Sequence, residues 1–105
     1  SNYQENIMAN KVSKLTDPSG NYSGGYTSDI YKCSANNNSN NNTQRGVIQV
    51  HIDSGEVYLQ MRLLSDCPWF TARKYTSSIV EEMVLAGEIR IVATNKAEAW
   101  VAELL

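Results

Sequence analysis

This 105-residue chain has one histidine, two cysteines, two prolines and one phenylalanine, which leaves few parts for an active or metal centre. His51 alone cannot form a histidine cluster. Together with Cys33 and Cys67 it makes three possible zinc ligands, without any recognisable ligand spacing. The cysteines lack a CxxC arrangement and are read as free thiols of a chain made in a reducing compartment. Charge is scarce too: charged residues make up 19%, below the usual quarter or so. The net charge of −2 and a pI near 5.3 argue against a general nucleic-acid binder, which needs a clustered basic surface. Uninterrupted apolar runs stop at four residues, far from the ~20 of a membrane helix. No charged n-region followed by an apolar stretch marks a signal peptide, so synthesis in the cytoplasm is the expectation.

Asparagine fills part of the space that charge leaves, including six of the seven residues from Asn36 to Asn42. Residues 34–43 read as a loop between strands, because Asn favours turns over regular ladders. Residues 1–25 read as an N-terminal arm. Ile7, Met8, Val12 and Leu15 fit short helical turns or an extended segment equally well, and Asp17-Pro18-Ser19-Gly20 is a turn signal. Such an arm packs against its own domain or a neighbour; if a neighbour, deleting residues 1–20 abolishes assembly and leaves the rest folded.

From residue 26 the pattern has period two. Residues 26–33 make a first strand. Ile48, Val50 and Ile52 share one face, with His51 opposite them. Asp53-Ser54-Gly55 is read as a short hairpin connection. Val57, Leu59, Met61 and Leu63 alternate with Tyr58, Gln60 and Arg62. Asp66-Cys67-Pro68 ends that run, and strands follow over 69–75, 79–85, 89–93 and 97–105. Six to eight short strands separated by turn signals predict an all-β fold, an antiparallel β-sandwich or barrel over residues 26–105.

Catalytic patterns fail on inspection. Glu81 and Glu82 are adjacent on a strand and point to opposite faces, so they cannot flank one bond. The segment around Tyr22 and Ser23 lacks the Gly two residues before Ser that a nucleophile elbow needs. No catalytic role and no cofactor is expected. The nine aromatic rings exceed what one core face can take, because Trp69 and Phe70 are neighbours, as are Trp100 and Val101. Surplus rings fit a protein interface or a sugar-stacking platform, since Tyr and Trp bury much area at low entropic cost, or partial cover by the N-terminal arm and loops.

The segment from Leu59 to Trp69, the strand Glu88-Ile89-Arg90-Ile91-Val92 and the closing strand from Ala99 to Leu105 give residues 46–105 a familiar rhythm. It resembles the jelly-roll-like sandwiches of tailed-bacteriophage virion proteins, among them head-decoration and tail-associated proteins. More distantly it resembles discoidin-type carbohydrate- or lipid-binding modules. Cys67 and Pro68 stand where that pattern usually has a Gly after the Asp. The resemblance implies a non-enzymatic virion structural protein that packs against capsid or tail subunits, as a homo-oligomer, without nucleic acid or membrane. The alternative it implies is an adhesion module for surface glycan. The expected interface residues are Ile7, Met8, Tyr22, Tyr26, Tyr58, Arg62, Trp69 and Trp100.

Overall fold

The computed structural model describes residues 11–34 and 43–104, with Lys11 and Thr43 described by their backbone alone. Ile7, Met8 and most of the Asn-rich run lie outside the described residues. The described chain forms β1 (Lys11–Lys14), β2 (Tyr26–Thr27), β3 (Tyr31–Lys32), β4 (Thr43–Ile52), β5 (Val57–Arg62), β6 (Phe70–Tyr75), β7 (Ile79–Ala86), β8 (Glu88–Ala93) and β9 (Ala97–Glu103). They build two antiparallel sheets. Sheet A has the order β1-β9-β4-β7, and sheet B has the order β2-β8-β5-β6, with β3 also beside β8. The fold is the expected all-β sandwich, with more strands than the six to eight foreseen.

Two local features account for the difference. The expected strand over 26–33 is split at Ser28, which keeps its own N–H on the Ile91 carbonyl but meets the Ile91 N–H with its side chain instead of its carbonyl. Its hydroxyl accepts the Ile91 N–H at 2.9 Å and donates to the Asp29 carbonyl at 3.0 Å. The other feature is β1, which pairs along β9 from Lys11↔Glu103 to Lys14↔Trp100. Leu15 then enters the core at 1% exposure, and its N–H donates to the Ala99 carbonyl. Residues 11–15 therefore belong to the sandwich, and the boundary of any arm moves back from residue 25. A deletion through residue 20 would remove an edge strand and a core leucine.

The core is the inward alternation of both sheets. Ile48 and Val50 of β4, Leu85 of β7, and Ala97, Ala99 and Val101 of β9 face Val57, Leu59, Ile89, Ile91 and Tyr75. A large aliphatic side chain buried in this way contributes roughly 1.5–3 kcal/mol. Gly46 sits in this inward register of β4, where a Cβ would collide with the Leu85 side chain and lie 2.6 Å from the Ala102 carbonyl oxygen.

The connection at Asp53-Ser54-Gly55 is not a hairpin. β4 pairs with β7 and β9, while β5 pairs with β6 and β8. The chain thus arches from one sheet to the other, and the β8–β9 connection does the same beside it. The two arches satisfy each other: Asp53 and Ser54 N–H groups reach the Lys96 carbonyl, and Thr94 N–H reaches the Glu56 carbonyl. The Thr94 hydroxyl accepts the Glu56 N–H at 2.8 Å. Gly87, with φ +64°, makes the β7–β8 crossover, and a Cβ there would strike the Arg62 carbonyl oxygen. Met61 is only partly buried. Leu63 falls past the end of β5 and is 63% exposed, so the expected apolar alternation ends one residue pair early.

Two predictions arise from this packing. Leu15→Ala lowers stability by about 2–5 kcal/mol in urea denaturation, and a chain lacking residues 1–20 shows no cooperative melt. The second concerns alkali. Burial raises the hydroxyl pKa values of Tyr26, Tyr31 and Tyr75 above the ordinary 10.0, assisted by Glu103 at Tyr31 and Glu81 at Tyr75. The unfolded chain releases these protons near pH 10 and the folded chain does not, so their contribution is intact below that pH and declines above it. Stability measured by urea should fall above pH 10, with phenolate absorbance from three tyrosines appearing only as the chain unfolds.

Candidate functional site

Because each strand turns one face inward, the other faces form two outer surfaces. On sheet A the outward positions bring together Val12 of β1, Trp100 and Ala102 of β9, Val47 and Gln49 of β4, and Val80 and Val84 of β7. Val12, Val80 and Val84 are 66%, 61% and 58% exposed. A shallow groove of about 200 Å³ runs between Val12, Val47, Gln49 and Trp100. The charges around this face are matched: Lys14 pairs with Glu98, Arg45 with Glu82 at 2.7 Å, and His51 lies 3.1 Å from Asp53. Lys14 also sits 5.5 Å from the Trp100 ring centroid. Its hydrogen bond to Glu98 raises the Lys14 pKa.

The outer face of sheet B is polar and aromatic. Arg62 of β5 stands across from Glu88 of β8, and Gln60 stands across from Arg90. Arg62 holds the Glu88 carboxylate oxygen through both Nε and Nη2 at 2.8 Å. Arg90 Nε donates to the Gln60 amide oxygen at 2.8 Å, and the Gln60 amide nitrogen donates to the Thr71 hydroxyl at 3.2 Å. That last bond fixes which end of the amide faces Arg90. The indole of Trp69, just ahead of β6, lies 4.3 Å from both guanidinium carbons. Burial, and then the nearby Arg62 charge, lowers the Arg90 pKa. Tyr58 lies on the same face; its hydroxyl donates to Glu56 at 3.1 Å and Lys74 lies 5.9 Å from its ring.

At the end of the sandwich, a pocket of about 350 Å³ opens between Met61, Arg62, Leu63, Cys67, Pro68, Phe70 and Ala86. Phe70 is 71% exposed, and Leu63 and Leu64 are also open to solvent. Neither Trp69 nor Phe70 enters the core; Tyr75, later on β6, takes that place. Cys67 lines this pocket, Cys33 is buried with its N–H on the Gly87 carbonyl, and the two form no disulfide.

The expected interface residues therefore separate into groups. Arg62, Trp69 and Tyr58 share the outer face of sheet B, while Trp100 belongs to sheet A. Tyr22 and Tyr26 pack on each other edge to face, with ring centroids 5.4 Å apart. Tyr26 donates to the Ala97 carbonyl at 2.8 Å, and the Tyr22 oxygen accepts the Asp17 N–H at 3.2 Å. These two tyrosines fasten the 15–25 segment onto its own sandwich. Sequence reasoning missed Arg90, Gln60 and Glu88. Outward alternation marks each of them, but only the β5–β8 register shows that they meet.

It also missed Glu103, which continues the inward series Ala97, Ala99, Val101 of β9 and is fully buried. Its Oε1 accepts the Ser34 N–H at 2.8 Å, so it holds the end of the β3 segment against sheet A. Among the described residues, no group of three His, Cys, Asp or Glu side chains is placed to hold a metal ion.

Trp69→Ala removes an aromatic body and two cation–π contacts, and should cost about 1–3 kcal/mol in urea denaturation. Trp69→Phe, which keeps a ring, should recover at least half of that loss. No family model matches the chain, and neither a curated protein nor a solved structure was found similar to it.

Proposed function

We propose that this chain is a non-enzymatic structural component of a virion, a capsid decoration or tail-associated protein of the tailed-phage kind, that acts by packing against other proteins and against copies of itself. The observation that carries the reading is the outer face of sheet A. An antiparallel sheet with one face on the core ordinarily presents polar side chains on the other. Here the solvent face carries Val12, Val47 and Trp100 around one groove and the exposed Val80 and Val84 beyond Gln49 and Glu82, apolar surface of the kind that marks interaction sites. Its charged neighbours are already paired with each other, so a second copy meets this face without net repulsion. Scarce charge elsewhere in the chain fits a protein with close neighbours.

The glycan-binding alternative depends on open aromatic platforms. Trp69 already carries two guanidinium groups and Trp100 has Lys14 beside it. Protein packing is the better supported of the two.

Light scattering over a concentration series should give a defined oligomer for the intact chain. Val84→Glu and Val47→Glu should shift it to monomer and weaken association at least tenfold, with an unchanged melting temperature for the exposed Val84 variant. A chain that stays monomeric throughout removes the self-packing part of the reading. Mass spectrometry of particles made by the encoding genome tests the virion setting, which fails if the chain is absent from them.

A further inference from the structure

Among the described residues, the outer face of sheet B holds one half-buried cation with no carboxylate within 4 Å. The chain has nine Lys and Arg residues. Lys14, Arg45, Arg62, Arg73, Lys74 and Lys96 each have a carboxylate within 4 Å. Lys32, opposite Glu88 in the β3–β8 register, is exposed to water, and the Lys11 side chain lies outside the described residues. Arg90 is half-buried, and among the described residues it is bound only by the neutral Gln60 amide and the Trp69 ring. Gln60 occupies Nε, which leaves both terminal nitrogens of the guanidinium for a planar acceptor. A carboxylate is the partner that geometry suits.

The site also has an apolar half. Arg62, whose guanidinium meets the same Trp69 ring, lines the 350 Å³ pocket with Met61, Leu63, Pro68 and Phe70. Its own charge is neutralised by Glu88, and Arg90, which does not itself line the pocket, is joined to it through the shared Trp69 ring.

We propose that Arg90 and this pocket together receive a segment of a partner protein in which a carboxylate side chain adjoins an apolar one. The inference rests on the protein-packing reading above and assigns a second contact surface, opposite to the sheet A face. Complementary charge sets the orientation of the segment, while the pocket supplies the buried area.

The test is an NMR titration of the ¹⁵N-labelled full chain, read at the Arg90 Nε–H and the Trp69 indole N–H. The probes are acetyl-Leu-Asp-amide, acetyl-Leu-Asn-amide, acetyl-Ala-Asp-amide and decanoate. The Leu-Asp peptide should bind about tenfold more tightly than either of its peptide controls, one lacking the charge and the other the apolar side chain. Arg90→Gln should erase the preference for Asp over Asn and keep that for Leu over Ala. Leu63→Ser, at an exposed position, should do the reverse. The inference is overturned if the two reporters do not move, or if Arg90→Gln retains the Asp preference. Decanoate binding more than tenfold tighter than the Leu-Asp peptide would assign the site to an acyl chain and overturn the protein partner. Light scattering on the same samples keeps the two ideas apart. An oligomer whose Arg90 and Trp69 reporters do not move with the peptides sinks this inference alone, and a monomer that binds them sinks self-packing through sheet A alone.

Discussion

The sandwich depends on two neighbouring arches that carry the chain from one sheet to the other. β4 leads into β5 and β8 leads into β9, and the two turns are tied by hydrogen bonds among Asp53, Ser54, Glu56, Thr94 and Lys96. This common fastening aligns β4 with β9 in one sheet and β5 with β8 in the other. While Leu85 and Tyr75 follow from the β4–β7 and β5–β6 pairings, most inward residues of the core are placed by those two registers. A slip of one residue in either would turn Ile48, Val50, Ala99 and Val101, or Leu59, Ile89 and Ile91, out to solvent. The polar turn chemistry therefore holds the apolar layer in place.

Much of this is written in the sequence as alternation and little of it as pairing. Ile48, Val50 and Ile52, or Ile89, Ile91 and Ala93, identify their strands and their inner faces without any knowledge of neighbours. Asp53-Ser54-Gly55 reads equally well as a hairpin or an arch, because both need a tight turn with a positive φ at the glycine. The choice is made by Lys96 and Thr94, more than forty residues away for Ser54's partner Lys96. β1 was hidden for a different reason. Its apolar content is one exposed valine and the buried leucine that follows, so the segment has no period of its own and becomes a strand only by lying along β9. The candidate surfaces follow the same division. Trp69 and Arg62 stand out as an aromatic and a cation off the core face. Arg90 gains meaning only when the register sets it beside Gln60 and under the same indole.

Scarcity of charge takes on a specific form in the folded chain. Most cations are committed to local carboxylates at the surface, where each pair is worth little, typically below about 1 kcal/mol. Their effect is to neutralise the rims of the sheets, which leaves the exposed valines of sheet A in an environment of low net charge. Among the described residues the fold has two layers and no third to cover such a face. Glu103 shows the opposite arrangement: a carboxylate taken fully inside and used to hold the backbone of Ser34.

The two outer faces are suited to different parts of an assembly problem. Sheet A offers area, since the valines and Trp100 gain by leaving water without demanding a particular direction of approach. Area alone sets neither partner nor orientation, because the hydrophobic contribution scales with the surface removed from water. Sheet B offers direction. Gln60, itself held by Thr71, pins one edge of Arg90, and the Trp69 ring packs against the same guanidinium, so its remaining donors are oriented before a partner arrives. Preorganised donors lose less freedom on binding than a mobile lysine would. On the proposed reading, placing area and direction on opposite faces of the sandwich lets one chain contact two neighbours at once, which a component of an extended coat requires.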